Sequence, residues 1–175
     1  MIEVRQETAD DFDAVRRVHT EAFARHGHAG NRPPEVALAD ELRASPAFLP
    51  QLSLVADNGQ LVVGHVIATR ATVGPDESPV LGLGPLGVLP SHQRQGVGSL
   101  LMEAIIGIVE SLDEPMIVLL GEPAYYHRFG FELAATFGIE PPDPAWAPNF
   151  LVRPSRAYDP AVRGLFTYAE PFSHL

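Results

Sequence analysis

Apolar and polar positions alternate between two periods along the chain, and the changes of period mark out its elements. Residues 2–5 read as a short opening strand. Thr8 and Asp11 have the spacing of a capping box, and behind them Phe12, Val15, Val18 and Ala22 fall on one face of an amphipathic helix. Residues 25–31, rich in glycine and histidine, read as a loop. Pro33 and Pro34 suit a second helix start, with Val36, Ala39 and Leu42 as its apolar stripe and Pro46 and Pro50 beyond its end. Two apolar runs, 52–56 and 61–68, flank Asp57-Asn58-Gly59-Gln60, and Asn-Gly between such runs predicts a hairpin.

A proline- and glycine-bearing turn at 74–79 leads into a further apolar run over 80–89. The period then becomes helical from about 95 to 112, with Val97, Leu101, Ala104, Ile105, Ile108 and Leu112 facing one way. Pro115 closes that helix, and residues 116–120 read as a short buried strand. One or two helical turns over 125–129 and a strand near 131–134 follow. Seven of the 17 prolines lie between Pro141 and Pro171, so the last segment is expected to be loop-rich, with one late strand near 165–169. Its aromatic residues argue that it packs on the body. The order of elements predicts a single mixed α/β (α+β) domain over residues 1–175, with the motifs in 1–135 and a proline-rich packed segment in 136–175.

Composition changes this picture by exclusion. A chain of 175 residues can bury about 70% of the surface that its unfolded form exposes, enough for a core without metal or disulfide. Asp and Glu number 22 against 12 basic residues, a net charge of −10, and all 12 are arginine. Without lysine there is no Schiff-base or phosphate-loop lysine. Without cysteine there is no thiol nucleophile, disulfide framework or cysteine-held metal. The charge balance argues against a nucleic-acid surface. The acidic start carries no secretory h-region, and no window has the ~18 apolar residues of a membrane span. A cytoplasmic protein with no metal site is expected, and a homodimer is left open.

The segment that carries chemistry runs from Gly82 to Ser99. An apolar strand ends at Leu89-Pro90, and Gln93-Arg94-Gln95-Gly96-Val97-Gly98 opens the long helix. Glycines let the backbone approach a ligand, and the first N–H groups of a helix have no partner within it and favour negative charge. Arg94 adds a full charge there, so the loop suits a diphosphate. It is neither a Walker A loop, which needs lysine, nor the dinucleotide fingerprint, since Leu101 stands where a third glycine belongs.

Gln93-x-x-Gly96-x-Gly98 after an apolar strand resembles the Gln/Arg-x-x-Gly-x-Gly/Ala signature of the GNAT superfamily of acyl-CoA-dependent N-acetyltransferases. Tyr126-His127-Arg128-Phe129-Gly130-Phe131, after the next strand, resembles that family's Tyr-x-x-x-Gly-Phe. The likeness covers roughly residues 1–135. It implies a central, mostly antiparallel sheet splayed at a bulged strand, flanked by helices, and acetyl-CoA as cosubstrate. Pro85 suits the bulge, because proline cannot donate to a ladder. The resemblance implies that Leu86, Gly87 and Val88 meet the pantetheine arm through their backbone. The Val88 N–H would polarise the thioester carbonyl, and Gln93, Arg94, Gln95, Gly96, Val97, Gly98 and Ser99 would hold the diphosphate. Tyr126 would be the general acid for the leaving thiolate, with Tyr125 as stand-in.

The reaction so implied is attack by an amine of a small molecule or peptide through a tetrahedral intermediate. The alternative is a non-catalytic acyl-CoA sensor or partner module. The strand over 80–89 lacks the carboxylate that relatives often use as base. Glu122, just past the strand at 116–120, is a candidate for that role, with His127, His26, His28 and Glu41 as further ones; each reads first as a solvated surface residue, and a water chain could serve instead. His65 reads as a satisfied strand histidine. His92 and Arg128 either touch the cofactor phosphates or have local roles. The acidic balance favours a cationic acceptor such as a polyamine, an aminoglycoside or a basic peptide.

Overall fold

A computed structural model describes residues 1–24 and 32–175, so the expected loop over 25–31, with His26 and His28, lies outside the described residues. The strands are β1 (Glu3–Gln6), β2 (Ser53–Asp57), β3 (Val62–Val73), β4 (Ser78–Val88), β5 (Met116–Leu120), β6 (Glu132–Leu133), β7 (Ile139–Glu140), β8 (Phe150–Pro154) and β9 (Gly164–Thr167). The helices are α1 (Phe12–Ala22), α2 (Pro34–Arg43), α3 (Val97–Ser111) and the single turn α4 (Pro123–Tyr126). In the sheet the order is β1-β2-β3-β4-β5-β8-β6, antiparallel except for β4 against β5. β9 pairs with the far end of β3 and, in parallel, with β7.

Local chemistry places several of these elements. Asp11 accepts from the Thr8 backbone N–H at 2.8 Å and so holds the entry to α1. In the β2–β3 turn Gly59 takes φ +92°, and the Asn58 side chain accepts from the N–H groups of Gln60 and Leu61. The two large helices cover opposite faces of the sheet. A Cβ added to Gly87 would strike His19 and Ala22 of α1, whereas one added to Gly64 would strike Leu101 and Val97 of α3. The main core lies between these layers, around Val15, Val66, Leu101 and Ile105. A second cluster joins Met116, Val118, Phe150 and Phe166 at the other end of the sheet.

Four details differ from the periodicity. β3 runs on to Val73 because its last residues gain a second partner in β9. α3 begins at Val97, leaving Gln95 and Gly96 in the loop. Its buried stripe is Val97, Leu101, Ile105 and Val109 with Met102, while Ala104 and Ile108 lie at the stripe's edge and Leu112 falls beyond the last turn, 39% exposed. The last segment contributes three strands, not one. Among them β8 is paired with β5 over its whole length and buried at Phe150, Leu151 and Val152.

The feature that positions the site is a parting between β4 and β5. The pairing of β3 with β4 slips between Val66 and Ala68, where Gly84 and Pro85 form the bulge. β4 and β5 pair only at Leu81–Ile117 and Gly82–Val118, yet β4 continues to Val88. Beyond the bulge the strands diverge and leave a slot between them.

Candidate active site

Leu89 donates to the Val63 carbonyl at 2.8 Å, and an antiparallel ladder alternates bonded and unbonded pairs. Gly87 is therefore bonded to His65, whereas Leu86 and Val88, opposite Val66 and Gly64, turn their peptide groups away from β3 and into the slot. The Val88 carbonyl is already held, accepting from Gln93 Nε2 at 3.0 Å. Its N–H faces the slot. Gly87 serves differently from the expectation: its peptide groups belong to the ladder, and its missing side chain lets the His19 ring approach.

The loop after β4 is shaped by left-handed backbone at Arg94 (φ +60°) and Gly96 (φ +85°). The first bond within α3 runs from Leu100 N–H to the Gly96 carbonyl at 3.0 Å, so the amides of Val97, Gly98 and Ser99 have no partner in the helix. They line a cavity of about 520 Å³ with Leu86, Val88, His92, Gln93, Arg94, Tyr125 and Arg128. Gln95 is not among its lining residues; its side-chain amide donates to the Ser91 carbonyl and braces the loop from behind. Arg128 lies over the Tyr125 ring at 4.7 Å and donates through Nε to the Tyr125 carbonyl, which leaves its outer nitrogens for an anion. Gly98 is required by contact, since a Cβ there would lie 2.7 Å from Tyr125 Oη.

The adjacent tyrosines divide between two cavities. Tyr125 belongs to the anion cavity, and Tyr126 lines a second one of about 420 Å³ on the other side of Leu86, which the two share. Tyr126 packs edge-on against Tyr125 and Phe131, and Gly121 leaves no room for a Cβ beside its ring. Burial, with a smaller contribution from Tyr125, pushes the Tyr126 hydroxyl up to about 12, so it is a protonated phenol throughout the neutral range.

Among the described residues the second cavity is lined by apolar and aromatic groups, with Glu35 the one acidic side chain. Glu35 stands in the first turn of α2 and its Oε2 is buried with no hydrogen-bond partner among the described residues. Sequence reasoning missed it. The available signal was the helical spacing that puts Glu35 one turn before Leu38, which lines the same wall. The candidate base Glu122 is exposed at the start of α4, as a solvated surface residue would be, and lines neither cavity. His127 is likewise exposed and lines neither. Glu41 lies on α2 paired with His174 at 2.7 Å. Among the described residues no three His, Asp or Glu gather as metal ligands, and no helix is long and apolar enough to cross a membrane.

Residues 3–134 match the acetyltransferase (GNAT) domain family. The chain belongs to this family. GNAT enzymes are acyltransferases that use acetyl-CoA as cosubstrate and act on amine acceptors. The chain is 35% identical over 127 residues to the uncharacterized N-acetyltransferase YjhQ of Escherichia coli K12, covering 71% of this chain and 66% of that protein. It is 30% identical over 140 residues to the uncharacterized N-acetyltransferase YhbS of the same organism, covering 80% and 82%. Among solved structures, a GNAT family acetyltransferase from Brucella melitensis in complex with acetyl-CoA superposes with TM-score 0.78 at 29% identity, covering 98% of both chains. YhbS in complex with CoA superposes with TM-score 0.84 at 28% identity, covering 98% of this chain and 92% of that one.

Behind the slot lies a buried polar chain that sequence reasoning also missed, apart from reading His65 as a satisfied strand histidine. Ser53 Oγ donates to Glu7 at 3.0 Å and lies 2.9 Å from His65 Nε2. His65 Nδ1 is 2.8 Å from His19 Nε2. Arg43 grips Glu7 with two bonds of 2.8 Å. His19 Nδ1, on the Gly87 side, has no partner among the described residues. Burial pushes both imidazoles down, His19 to about 4 and His65 well below its ordinary value, so both are neutral at pH 7.

Proposed function

We propose that this chain transfers the acetyl group of acetyl-CoA directly to the amine of a small molecule or peptide, through a tetrahedral intermediate and without a covalent enzyme intermediate. The observation that carries the reading is the continuity of the groove. An anion-binding cavity and an acceptor cavity meet at Leu86, with Tyr126 on one wall and the Val88 N–H on the other. In this reading the amides of Val97, Gly98 and Ser99, with Arg94 and Arg128, hold the diphosphate. Gln95 braces that loop from behind, Gln93 lines the cavity while its side chain holds the Val88 carbonyl, and the pantetheine arm lies along Leu86 and Val88.

The Val88 N–H then stabilises the oxyanion as the amine attacks, a contribution worth about 10²–10³ in rate for a single donor. As the C–S bond breaks, the Tyr126 hydroxyl gives its proton to the sulfur and regains one from the nitrogen, which becomes the amide. The absence of cysteine agrees with direct transfer, since no side-chain nucleophile is needed.

Thiol release from acetyl-CoA, measured with a panel of amines, tests the reading. Tyr126→Phe is expected to lower kcat by about a hundredfold or more while leaving acetyl-CoA affinity within a few-fold. An unchanged kcat removes Tyr126 from the chemistry. Tight CoA binding with no thiol release across the panel would overturn transfer itself.

A further inference from the structure

We propose that the second cavity is the acceptor site for a small primary amine on an apolar, preferably aromatic body, and that Glu35 both binds its ammonium and removes the first proton. The chemistry rests on the acetyl-transfer reading above, while the choice of amine rests on the cavity itself.

The wall is set by Phe23, Leu38, Trp146, Tyr168 and Phe172, and its volume of about 420 Å³ lies in the range of small-molecule sites. Tyr168 stacks on Phe172 at 4.4 Å, making a flat aromatic panel. Burial raises the Tyr168 phenol far above its ordinary value, so this panel carries no charge. Glu35 is the one charged side chain among the described lining residues. Its buried Oε2 accepts nothing among the described residues, and a carboxylate oxygen on an apolar wall needs a partner.

A single ammonium at the end of an apolar body supplies that partner and buries the body against the aromatic panel, where cation–π attraction adds to the pairing. A polycation fits badly. Its second and third ammonium groups would lie among leucines and rings with no further charged side chain among the described lining residues to pair them, and that desolvation opposes the attraction of the net charge of −10. The cavity thus argues against the polyamine, aminoglycoside or basic peptide that the charge balance favours. Local lining outweighs the overall field.

The step balances. The ammonium passes one proton to the Glu35 carboxylate, and the freed lone pair attacks the thioester carbon. The N–C bond forms and the C–S bond breaks. The nitrogen's surplus proton replaces the one that Tyr126 gives to sulfur, and Glu35 releases its own proton to water.

Thiol release by the wild-type protein with 2-phenylethylamine and with spermidine is the first measurement. We expect kcat/KM for 2-phenylethylamine to be about tenfold or more the higher. Glu35→Gln should lower that value by about a hundredfold with the acetyl-CoA KM unchanged, and Glu35→Asp should restore part of it. Calorimetry of 2-phenylethylamine into CoA-loaded protein needs no turnover and should show binding that weakens about tenfold in Glu35→Gln. A preference for spermidine, or a Glu35→Gln protein with unaltered kinetics and binding, overturns the proposal. Should Glu35→Gln fail to fold, the wild-type selectivity and Glu35→Asp decide it. If 2-phenylethylamine binds through Glu35 but no amine releases thiol, the transfer reading falls and the pocket stands. If other amines react while 2-phenylethylamine neither binds nor reacts, the pocket assignment falls and transfer stands.

Discussion

Gln93 donates through its side-chain amide to the Val88 carbonyl over 3.0 Å, closing a bracket between the anion loop and the last residue of β4. That bracket fixes the plane of the peptide group whose neighbouring N–H faces the slot. Gln93→Leu removes a hydrogen bond worth about 1 kcal/mol and leaves the carbonyl to water. The expected result is a fall of about fivefold in kcat/KM for acetyl-CoA, with thermal stability nearly unchanged. Gln93→Glu sets a carboxylate against the carbonyl oxygen and should lose more. Steady-state kinetics of the two variants check this, and wild-type constants in both would show that the bracket does not position Val88.

Gly96 and Gly98 are needed for different reasons, and the difference is measurable. At Gly98 a Cβ meets Tyr125 Oη at 2.7 Å, so Gly98→Val drives the Tyr125 ring out of place over the anion cavity. CoA affinity should fall by about tenfold or more in calorimetry. At Gly96 there is open space, and the requirement is its φ of +85°. Gly96→Ala should cost about 1 kcal/mol of stability through backbone strain, and Gly96→Asn less, because asparagine visits this region readily. If Gly98→Val bound CoA normally, the cavity of about 520 Å³ would not be the diphosphate site.

The buried imidazoles give the fold an acid sensitivity that lies outside the groove. His19 and His65 are held neutral in the folded protein, below the ordinary histidine value of 6.5. In the unfolded chain both take up protons as the pH falls through 6.5. Their contribution to stability is therefore complete above that pH and declines below it, continuing for His19 down to about 4. The melting temperature should drop between about pH 6.5 and about pH 5, with close to two protons taken up on unfolding. His65→Phe removes one of them and should flatten the curve, at the cost of leaving His19 Nε2 without its partner, while Ser53 keeps its bond to Glu7. A wild-type melting temperature constant over this interval would contradict the neutral pairing.

How far this was legible in the sequence depended on where the interactions lie. The anion loop is local: strand end, glycines and helix start are contiguous from Val88 to Ser99, so the chain itself spells the geometry. The β2–β3 turn is legible for the same reason at Asn58-Gly59. The bulge was readable at Pro85, whose lack of a donor leaves few places for it. β8 was not, because Phe150-Leu151-Val152 is short, lies among prolines and becomes a strand only by pairing with β5, some 35 residues earlier. Glu35 and the His19–His65 contact are tertiary as well. Each places a polar residue in a helical pattern whose significance appears only when α1 and α2 pack near the bulged strand. For Glu122, adjacency in sequence to the end of β5 said nothing of direction, and in the structure it stands exposed at the start of α4.

His174 ties the last turn of the chain to α2, and through it to the acceptor cavity. Its ring nitrogens lie 2.7 Å from Glu41 and 2.9 Å from Glu170. The hydrogen bond to Glu41 and the charge of Glu170 hold its pKa above the ordinary value of 6.5. A raised value means that the clamp is complete below 6.5 and is lost as the pH rises through the folded-state value. Phe172 and Leu175, on the same turn and just after it, line the cavity beside Trp146, the one tryptophan in the chain. Tryptophan emission therefore reports whether that wall is closed. It should shift to the red as the pH rises above 6.5 and through the raised folded-state value of His174, and earlier in high salt, because the pair is exposed and screened. In His174→Gln the emission should be red-shifted already at the lower pH and then change little. The KM for the amine should follow the same course while the KM for acetyl-CoA, whose cavity lies on the far side of Leu86, stays level. An equal pH response in His174→Gln would place the titrating group elsewhere.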